Sequence, residues 1–382
     1  MDSCDVLIVG GGPAGSTCAW KLRSAGLDVL LIDKARFPRD KVCGGWITPA
    51  VIRELEIDLD EYSLGRVFQP ILGFKTGRLR SRMVLTCYGH PISFGIRRCE
   101  FDHFLLRRCG ARIMDGTPLL ELRRSKDVLI ANSRIRTPLV IGAGGHFCPV
   151  SQYLGAKPAA ESAVVAQEAE VQLSPGQAAG SAIKAEIPEL YFCPDMKGYG
   201  WCFRKQNYLN IGFGRFDRHQ FARQSAAFVE FLQESGKIER ELPVRMRGHA
   251  YLLSGVHPRK RLDDGVILIG DAAGLAYPSS GEGIRPAVES ALLAADVILK
   301  AKGDYRPARL EEYLAALEAR YCSVQSDWAI RAARWIPQWA TKLIAASVLA
   351  TPPLTRHVLL DRWFLHSHIS ALTSGKSQNG ER

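Results

Sequence analysis

A glycine-rich turn between an apolar strand and a helix constrains this chain more than any other feature. Residues 5–9 form an apolar run that enters Gly10-Gly11-Gly12-Pro13-Ala14-Gly15, a G-x-G-x-x-G. The pattern predicts a helix over 13–25, stopped by Gly26, and a second apolar strand over 29–33, closed by Asp33. Strand, turn, helix, strand and acid stand in register, which is far more specific than a lone glycine pattern. Gly10 allows the tight turn, Gly12 lets the backbone approach a pyrophosphate, and Gly15 lets helix and strand pack closely. Pro13 and Ala14 open the helix, whose free N–H groups and positive dipole end favour phosphate. Asp33 stands where an acid accepts hydrogen bonds from ribose hydroxyls, and a carboxylate there disfavours a 2′-phosphate. The unit predicts a dinucleotide site without separating NAD from FAD.

Composition narrows the class further. The chain has 382 residues, 47% of them hydrophobic, enough for a sizeable core in two or three structural units. No apolar stretch approaches the roughly 20 residues of a membrane-spanning helix. The best one, over 343–350, is short and stops at Pro352 and Pro353. The apolar strand is reached almost at once, with no basic leader before it, so a cytoplasmic protein is expected. The ten cysteines are scattered, with no C-x-x-C pair and no histidines at zinc spacing, so reduced thiols and no metal are expected. The net charge of +11 comes without a helix-turn-helix, zinc-finger or aromatic RNA motif, so nucleic acid is not expected. An anionic cofactor, an anionic membrane surface or plain solvation all accommodate that charge.

Along the rest of the chain, 37–46 is a charged, glycine-containing loop. Arg98 precedes a helix expected over 101–109. Residues 119–137 read as a β-meander, and 139–145 as a strand running into glycines. Alternation over 162–214 predicts an antiparallel sheet. Residues 266–271 form another buried strand, followed by a glycine-punctuated loop and a helix over 283–300. From 310 onward the pattern is mostly helical, and the tail over 374–382 reads as disordered.

Three segments now match one pattern in order: Gly10 to Asp33, then Arg98-x-x-Phe101-Asp102, then Gly270-Asp271-Ala272-Ala273-Gly274 with Pro278 and Gly281-x-Gly283. Together they resemble the p-hydroxybenzoate hydroxylase-type flavoproteins, over most of residues 1–300. Lys41-Val42-Cys43-Gly44-Gly45 and the stretch Gly198-Tyr199-Gly200-Trp201-Cys202-Phe203-Arg204-Lys205 are similar to the geranylgeranyl reductase branch, the second to its G-Y-x-W-x-F-P-K motif. The resemblance implies FAD as cofactor. It implies an α/β fold, α+β overall, with a discontinuous Rossmann-like FAD-binding domain (1–60, 95–160 and 250–305). An antiparallel-sheet substrate domain (61–94 and 161–249) is inserted, and a helical C-terminal region (306–373) follows.

The cofactor residues so expected are Gly10, Gly12, Pro13, Ala14, Gly15, Asp33 and Lys34 at the nucleotide end. Lys41, Cys43, Gly44, Gly45 and Arg98 come from the middle segments, and Gly270, Asp271, Ala272, Gly281, Gly283 and Ile284 from the third. A carboxylate at Asp271 can hold a ribityl hydroxyl, and the small residues after it let a cofactor lie against backbone. The helix that starts near Gly283 turns its positive end toward the ring, favouring negative charge on the reduced form. Arg98 has two readings, a cofactor contact or a helix-end solvated charge.

The implied chemistry is hydride delivery from reduced flavin to a carbon–carbon double bond of a polyprenyl or other apolar small molecule. Cys43 borders the flavin in this reading, where it tunes the ring, donates a proton or touches substrate; the alternative is a small side chain packed in a tight loop. Tyr199 and Trp201 share one strand face and suit either a substrate wall or plain core packing. A single dinucleotide fingerprint leaves the electron source open between transient NAD(P)H and a protein donor. The aromatic and basic residues over 331–366, Trp335, Ile336 and Trp339 among them, suit either peripheral membrane contact or helix packing. Two departures stand out: Gly144 and Cys148 replace the acid and serine of the superfamily's G-A-D-G-x-x-S, and Arg204 replaces the proline of the aromatic motif. Other readings of the same fold are a monooxygenase acting on an aromatic or quinone-type compound, and a flavoprotein redox sensor or electron carrier without a substrate. Oligomeric state is not legible.

Overall fold

The computed structural model describes residues 2–158, 161, 163–216, 220–255, 259–325 and 338–372, excepting the side chains of 322–325 and 338–343. The fully buried strand Val6–Val9 lies inside a six-stranded sheet. Its order runs Leu262–Asp263, Val266–Leu268, Leu139–Gly142, Val6–Val9, Val29–Asp33, Arg112–Asp115. All neighbours are parallel except the first pair, a hairpin at one edge. Unbroken apolar runs suit parallel strands covered on both faces. Helices Pro13–Ser24 and Ile284–Ala301 pack together against this sheet, and the meander Leu122–Ser125, Val128–Ala131, Ile135–Thr137 lies against strand Leu139–Gly142. The register sets Val9 beside Ile32 and Gly142, and Gly142 beside Leu268. The carboxyl ends of four strands therefore share one edge, where parallel sheets bind ligands.

Boundaries shift where local geometry intervenes. Strand Val266–Leu268 ends earlier than its apolar pattern, because Gly270 takes φ +60 and Gly270–Ala273 wind into a tight single turn. Helix Arg98–Arg108 begins at Arg98 instead of residue 101, so Arg98 and Asp102 lie one turn apart on the same face.

The inserted layer is a seven-stranded sheet. Its order is Arg247–Tyr251, Val164–Gln172, Tyr208–Arg215, Gly198–Lys205, Glu189–Phe192, Gly73–Arg78, Val84–Cys87. The expectation of a purely antiparallel sheet is corrected at one seam: Glu189–Phe192 runs parallel to Gly73–Arg78. Those two strands come from distant segments, so no hairpin forces them antiparallel. The outer face packs Cys202, Ile211 and Phe213 under Phe228 and Leu232 of helix Phe221–Glu234. The inner face turns Tyr199 and Trp201 toward the first sheet. A short three-stranded sheet, Trp46–Ile47, Ser93–Ile96 and Phe68–Ile71, joins the two layers.

The C-terminal region is helical over Pro307–Gln325, Gln338–Ala350 and Thr355–Phe364, the last wound wider than an α-helix. Val348, Leu349, Leu359 and Leu360 pack on Ile71, Phe74 and Leu190. Among the described residues no helix is long and apolar enough to cross a membrane. Trp335, Ile336 and the 374–382 tail lie outside the described residues; Ile344 and Trp363 are exposed.

Candidate functional site

A cavity of about 1060 Å³ opens where the shared strand edge, the inner face of the seven-stranded sheet and the loop 39–46 meet. That volume sits at the upper end of small-molecule sites, roughly 300–1,000 Å³. Gly10, Gly12, Pro13, Ala14, Asp33 and Lys34 line one end. Lys41, Cys43, Gly44, Gly45, Arg98 and Asp271 line the middle, with Gly281, Gly283 and Ile284 beside them. Tyr199 and Trp201 face the same space. Gly15, Gly270 and Ala272 are not part of the wall but lie behind it. A Cβ on Gly15 would sit 1.8 Å from the Gly10 carbonyl oxygen, so Gly15 is there for packing, as is Gly270 between Ala14 and Ala287.

At the glycine end, Gly10 has φ +117, and a Cβ there would fall 2.5 Å from the Ala143 backbone. Gly12 is the residue that opens helix Pro13–Ser24, at an ordinary φ of −74. The Asp33 carboxylate is buried and accepts the Gly11 N–H at 2.7 Å and the Ala35 N–H at 2.8 Å. Each carboxylate oxygen has a second lone pair, so Asp33 both braces the glycine turn and stays able to accept from a ribose. Arg39 stacks over Phe37 and reaches Asp102 at 3.3 Å. Arg98 is tied more tightly, Nε and Nη2 donating to the fully buried Asp102 at 2.8 and 2.9 Å. It is therefore neither a solvated charge nor a free one: a buried ion pair fixes it at the cavity wall, with the Cys43 thiol beside it.

The middle of the cavity is a set of coupled charges. Lys41 Nζ lies 3.1 Å from the His249 ring nitrogens, and His249 Nε2 lies 3.7 Å from Asp271 Oδ2. Burial pulls the Lys41 ammonium down to about 8, although Asp271 opposes it. Burial also lowers His249, against the pull of Asp271. Burial pushes Asp271 upward, but the His249 bond and the charges of Lys41 and Arg98 outweigh it, holding its carboxyl below the usual range. Two further acids line the cavity. Glu168 is pushed up to about 7 by burial, against Lys205. Burial pushes Glu282 up to about 8, and its occluded Oε1 has no hydrogen-bond partner among the described residues.

The far end is aromatic. Tyr199 and Trp201 ring centroids are 5.8 Å apart, and Phe364 meets Tyr199 at 5.6 Å and Trp46 at 5.2 Å. The polar handles are already satisfied: Tyr199 Oη donates to the Ser280 carbonyl at 2.7 Å and Trp201 Nε1 to Asn210 Oδ1 at 2.8 Å. The rings thus present apolar surface to the cavity. Both sequence departures have local accounts. Arg204 donates to the Ile183 and Gln206 carbonyls on the opposite strand face, away from Tyr199 and Trp201. A Cβ on Gly144 would lie 3.2 Å from the Cys148 sulfur, which accepts the Gly144 N–H, so the cysteine fills the space that an acid would need.

Sequence reasoning missed Arg39, Trp46, Glu168, His249, Tyr251, Glu282 and Phe364, which line the cavity. Glu168 did carry a signal: it shares strand parity with Val164 and Ala166, an inward-facing row where an acid is out of place.

The parts fit FAD. The glycine turn leaves open backbone at a helix N-terminus, cations stand between it and the aromatic end, and Asp271 with the Gly281–Gly283 loop enters from a separate segment. Fold and site together define an FAD-dependent oxidoreductase, and residues 5–91 match the family of FAD dependent oxidoreductases. The chain is 31% identical to the geranylgeranyl diphosphate reductase of Rhodobacter capsulatus, over 80% of this chain and 78% of the relative. It is 26% identical to the digeranylgeranylglycerophospholipid reductase of Methanococcus vannielii, over 84% and 82%. A geranylgeranyl bacteriochlorophyll reductase-like protein from Thermoplasma acidophilum shares the fold, with TM-score 0.72 at 21% identity, covering 94% and 93%. The chain belongs to the geranylgeranyl reductase family.

Proposed function

We propose that the protein saturates carbon–carbon double bonds of a polyprenyl chain lodged against Trp46, Tyr199, Trp201 and Phe364. The observation that carries this reading is one cavity that runs from the glycine turn to the aromatic wall. The Gly10–Ala14 turn would hold the pyrophosphate, Asp33 and Lys34 the adenosine side, and Lys41 and Arg98 the neighbouring negative charge. Asp271, with the helix start at Gly283 and Ile284, would hold the ribityl and ring portion. Reduced FAD, when bound, would supply the hydride.

The chain's own residues position and shield. The aromatic wall binds an apolar chain by area and excludes water from the reacting carbons. Saturation needs a proton on the second carbon of the double bond. We assign that delivery to the Cys43 thiol, which lines the cavity beside Arg98 and accepts the Gly45 N–H at 3.4 Å. The prenyl-reducing activities for which the relatives are named, and the apolar wall, support the substrate class.

The test supplies FAD-loaded protein with geranylgeranyl diphosphate and, in parallel, NADPH, NADH or a chemical reductant. The proposal expects products heavier by pairs of hydrogens, and their loss in Cys43→Ala. Products carrying oxygen, formed only in air from aromatic or quinone-type compounds, would overturn it in favour of a monooxygenase.

A further inference from the structure

A polar chain runs beneath the aromatic wall, linking two parts of the cavity that the proposed function treats separately. Trp201 Nε1–H donates to Asn210 Oδ1 at 2.8 Å. Asn210 Nδ2–H donates to Glu168 Oε1 at 2.9 Å. The backbone N–H of Cys43 donates to Glu168 Oε2. Three adjacent strands and the loop across the cavity each contribute one member. The indole is locked in place, because a Cβ on its cross-strand partner Gly212 would lie 2.0 Å from the ring.

We propose that Glu168 and Asn210 are positioning residues that set the Cys43 loop against the substrate wall. The proposal rests on the reading of Cys43 and Trp201 as parts of the reacting site. The polarity of the chain carries it. Both ends are groups that only donate, the indole N–H and a backbone N–H. An amide accepts from the first with its oxygen and must then donate onward with its nitrogen. Glu168 is left to accept at both oxygens, which an ionised carboxylate does strongly at each and a protonated one does only weakly at its O–H oxygen. A proton on Glu168 would take the charge from one acceptor oxygen and weaken the bond it accepts.

The surroundings bring this titration into the working range, since burial pushes Glu168 up to about 7. Lys205 opposes that push and Glu170 adds to it. Lys205 is itself held by Glu170 at 2.7 Å and the Ile96 carbonyl at 2.9 Å, and Arg97 also holds Glu170. Arg247, opposite Glu168 on the neighbouring strand, turns outward to Asp40 at 3.3 Å, and His249 stands opposite Ala166. From the loop side, Lys41, the Cys43 thiol and Arg98 face the same space. As pH falls through about 7, Glu168 gains a proton and the anchor of the Cys43 loop weakens.

The experiment uses FAD-loaded protein and three variants. Glu168→Gln places an N–H against a donor at every pH. The paired swap Glu168→Gln with Asn210→Asp restores every bond, since the carboxylate moved to the second position would accept from both Trp201 and the new amide, whose oxygen accepts from Cys43. Asn210→Ala removes the link altogether. For prenyl turnover, kcat of wild type should fall below pH 7. Glu168→Gln should lose about ten- to a hundredfold in kcat at pH 8, with no acid limb left and KM little changed, and the swap should recover most of the loss. Alkylation of Cys43, located by peptide mass spectrometry, should be faster in Glu168→Gln and Asn210→Ala than in wild type, and slowed again in the swap. Unchanged alkylation in the single variants, or a swap no better than Glu168→Gln, would overturn the proposal. The alkylation arm needs no substrate. Its pattern holding while wild type turns over no prenyl compound would sink the proposed function and leave the positioning role standing.

Discussion

Three glycines in one turn should fail in two different ways when changed to alanine. At Gly10 the backbone is left-handed, φ +117, and the added Cβ would sit 2.5 Å from the carbonyl of Ala143. That carbonyl cannot retreat freely, since the Ala143 N–H is bonded to Val9 at 2.8 Å. Strained φ costs about 1–3 kcal/mol and overpacking another ~1–3. Gly10→Ala should therefore lose about 2–6 kcal/mol, a large part of a typical domain's ~5–15. Gly15→Ala should be at least as damaging, because its Cβ would lie 1.8 Å from a backbone oxygen. Gly12 differs: its φ is ordinary and the added carbon would meet only the Arg39 guanidinium, at 3.5 Å. Gly12→Ala should fold normally and lose only the close approach of phosphate to backbone. One or two charge-assisted bonds at ~1.5–3 kcal/mol each predict FAD affinity at least about tenfold weaker. The assay is thermal unfolding of FAD-free protein beside an FAD titration by tryptophan quenching. If Gly12→Ala melted as early as Gly10→Ala, or bound FAD as wild type does, this division of labour would be wrong.

Other outcomes follow from the same contacts. FAD affinity should decline as pH rises through about 8, where Lys41 loses its proton and the cavity a positive charge; Lys41→Met should bind more weakly and remove that limb, read by titration at several pH values. Arg98→Met should destabilise by about 3–5 kcal/mol in chemical denaturation, because among the described residues the fully buried Asp102 keeps only the Arg39 cation, at 3.3 Å. Asp33→Ala leaves the Gly11 and Ala35 N–H groups without their acceptor and should cost ~1–3 kcal/mol for each that stays dry, seen as a lower Tm. Tyr199→Ala should raise KM for a prenyl substrate about ten- to a hundredfold, the worth of ~1.5–3 kcal/mol of aromatic burial, without a matching loss of FAD.

What the sequence made legible was what a local stretch of backbone demands. Gly10 and Gly15 meet two separate steric needs within six residues, and the apolar runs around them have the lengths of buried strands. Gly270, Asp271 and the 281–283 glycines read the same way. The groups it hid are assembled by registration of distant strands. His249 reaches Asp271, and Asn210 reaches Glu168, only because Arg247–Tyr251, Val164–Gln172 and Tyr208–Arg215 pair in one register. No short pattern encodes that pairing, nor the parallel seam between Glu189–Phe192 and Gly73–Arg78. Arg98 lies between these cases. Its place at the cavity wall was legible, and Asp102 stood four residues on, yet no local pattern says whether a guanidinium there pairs with a carboxylate or a phosphate.

The proposed reaction brings reduced FAD and an apolar alkene together in one cavity. Its most direct measurement is a single anaerobic turnover: the FAD-loaded protein is reduced to completion, mixed with geranylgeranyl diphosphate without oxygen, and followed by flavin absorbance and product mass. The flavin should reoxidise in step with a product heavier by two hydrogens. A flavin that stays reduced until oxygen is admitted, and an unaltered prenyl chain, would contradict it.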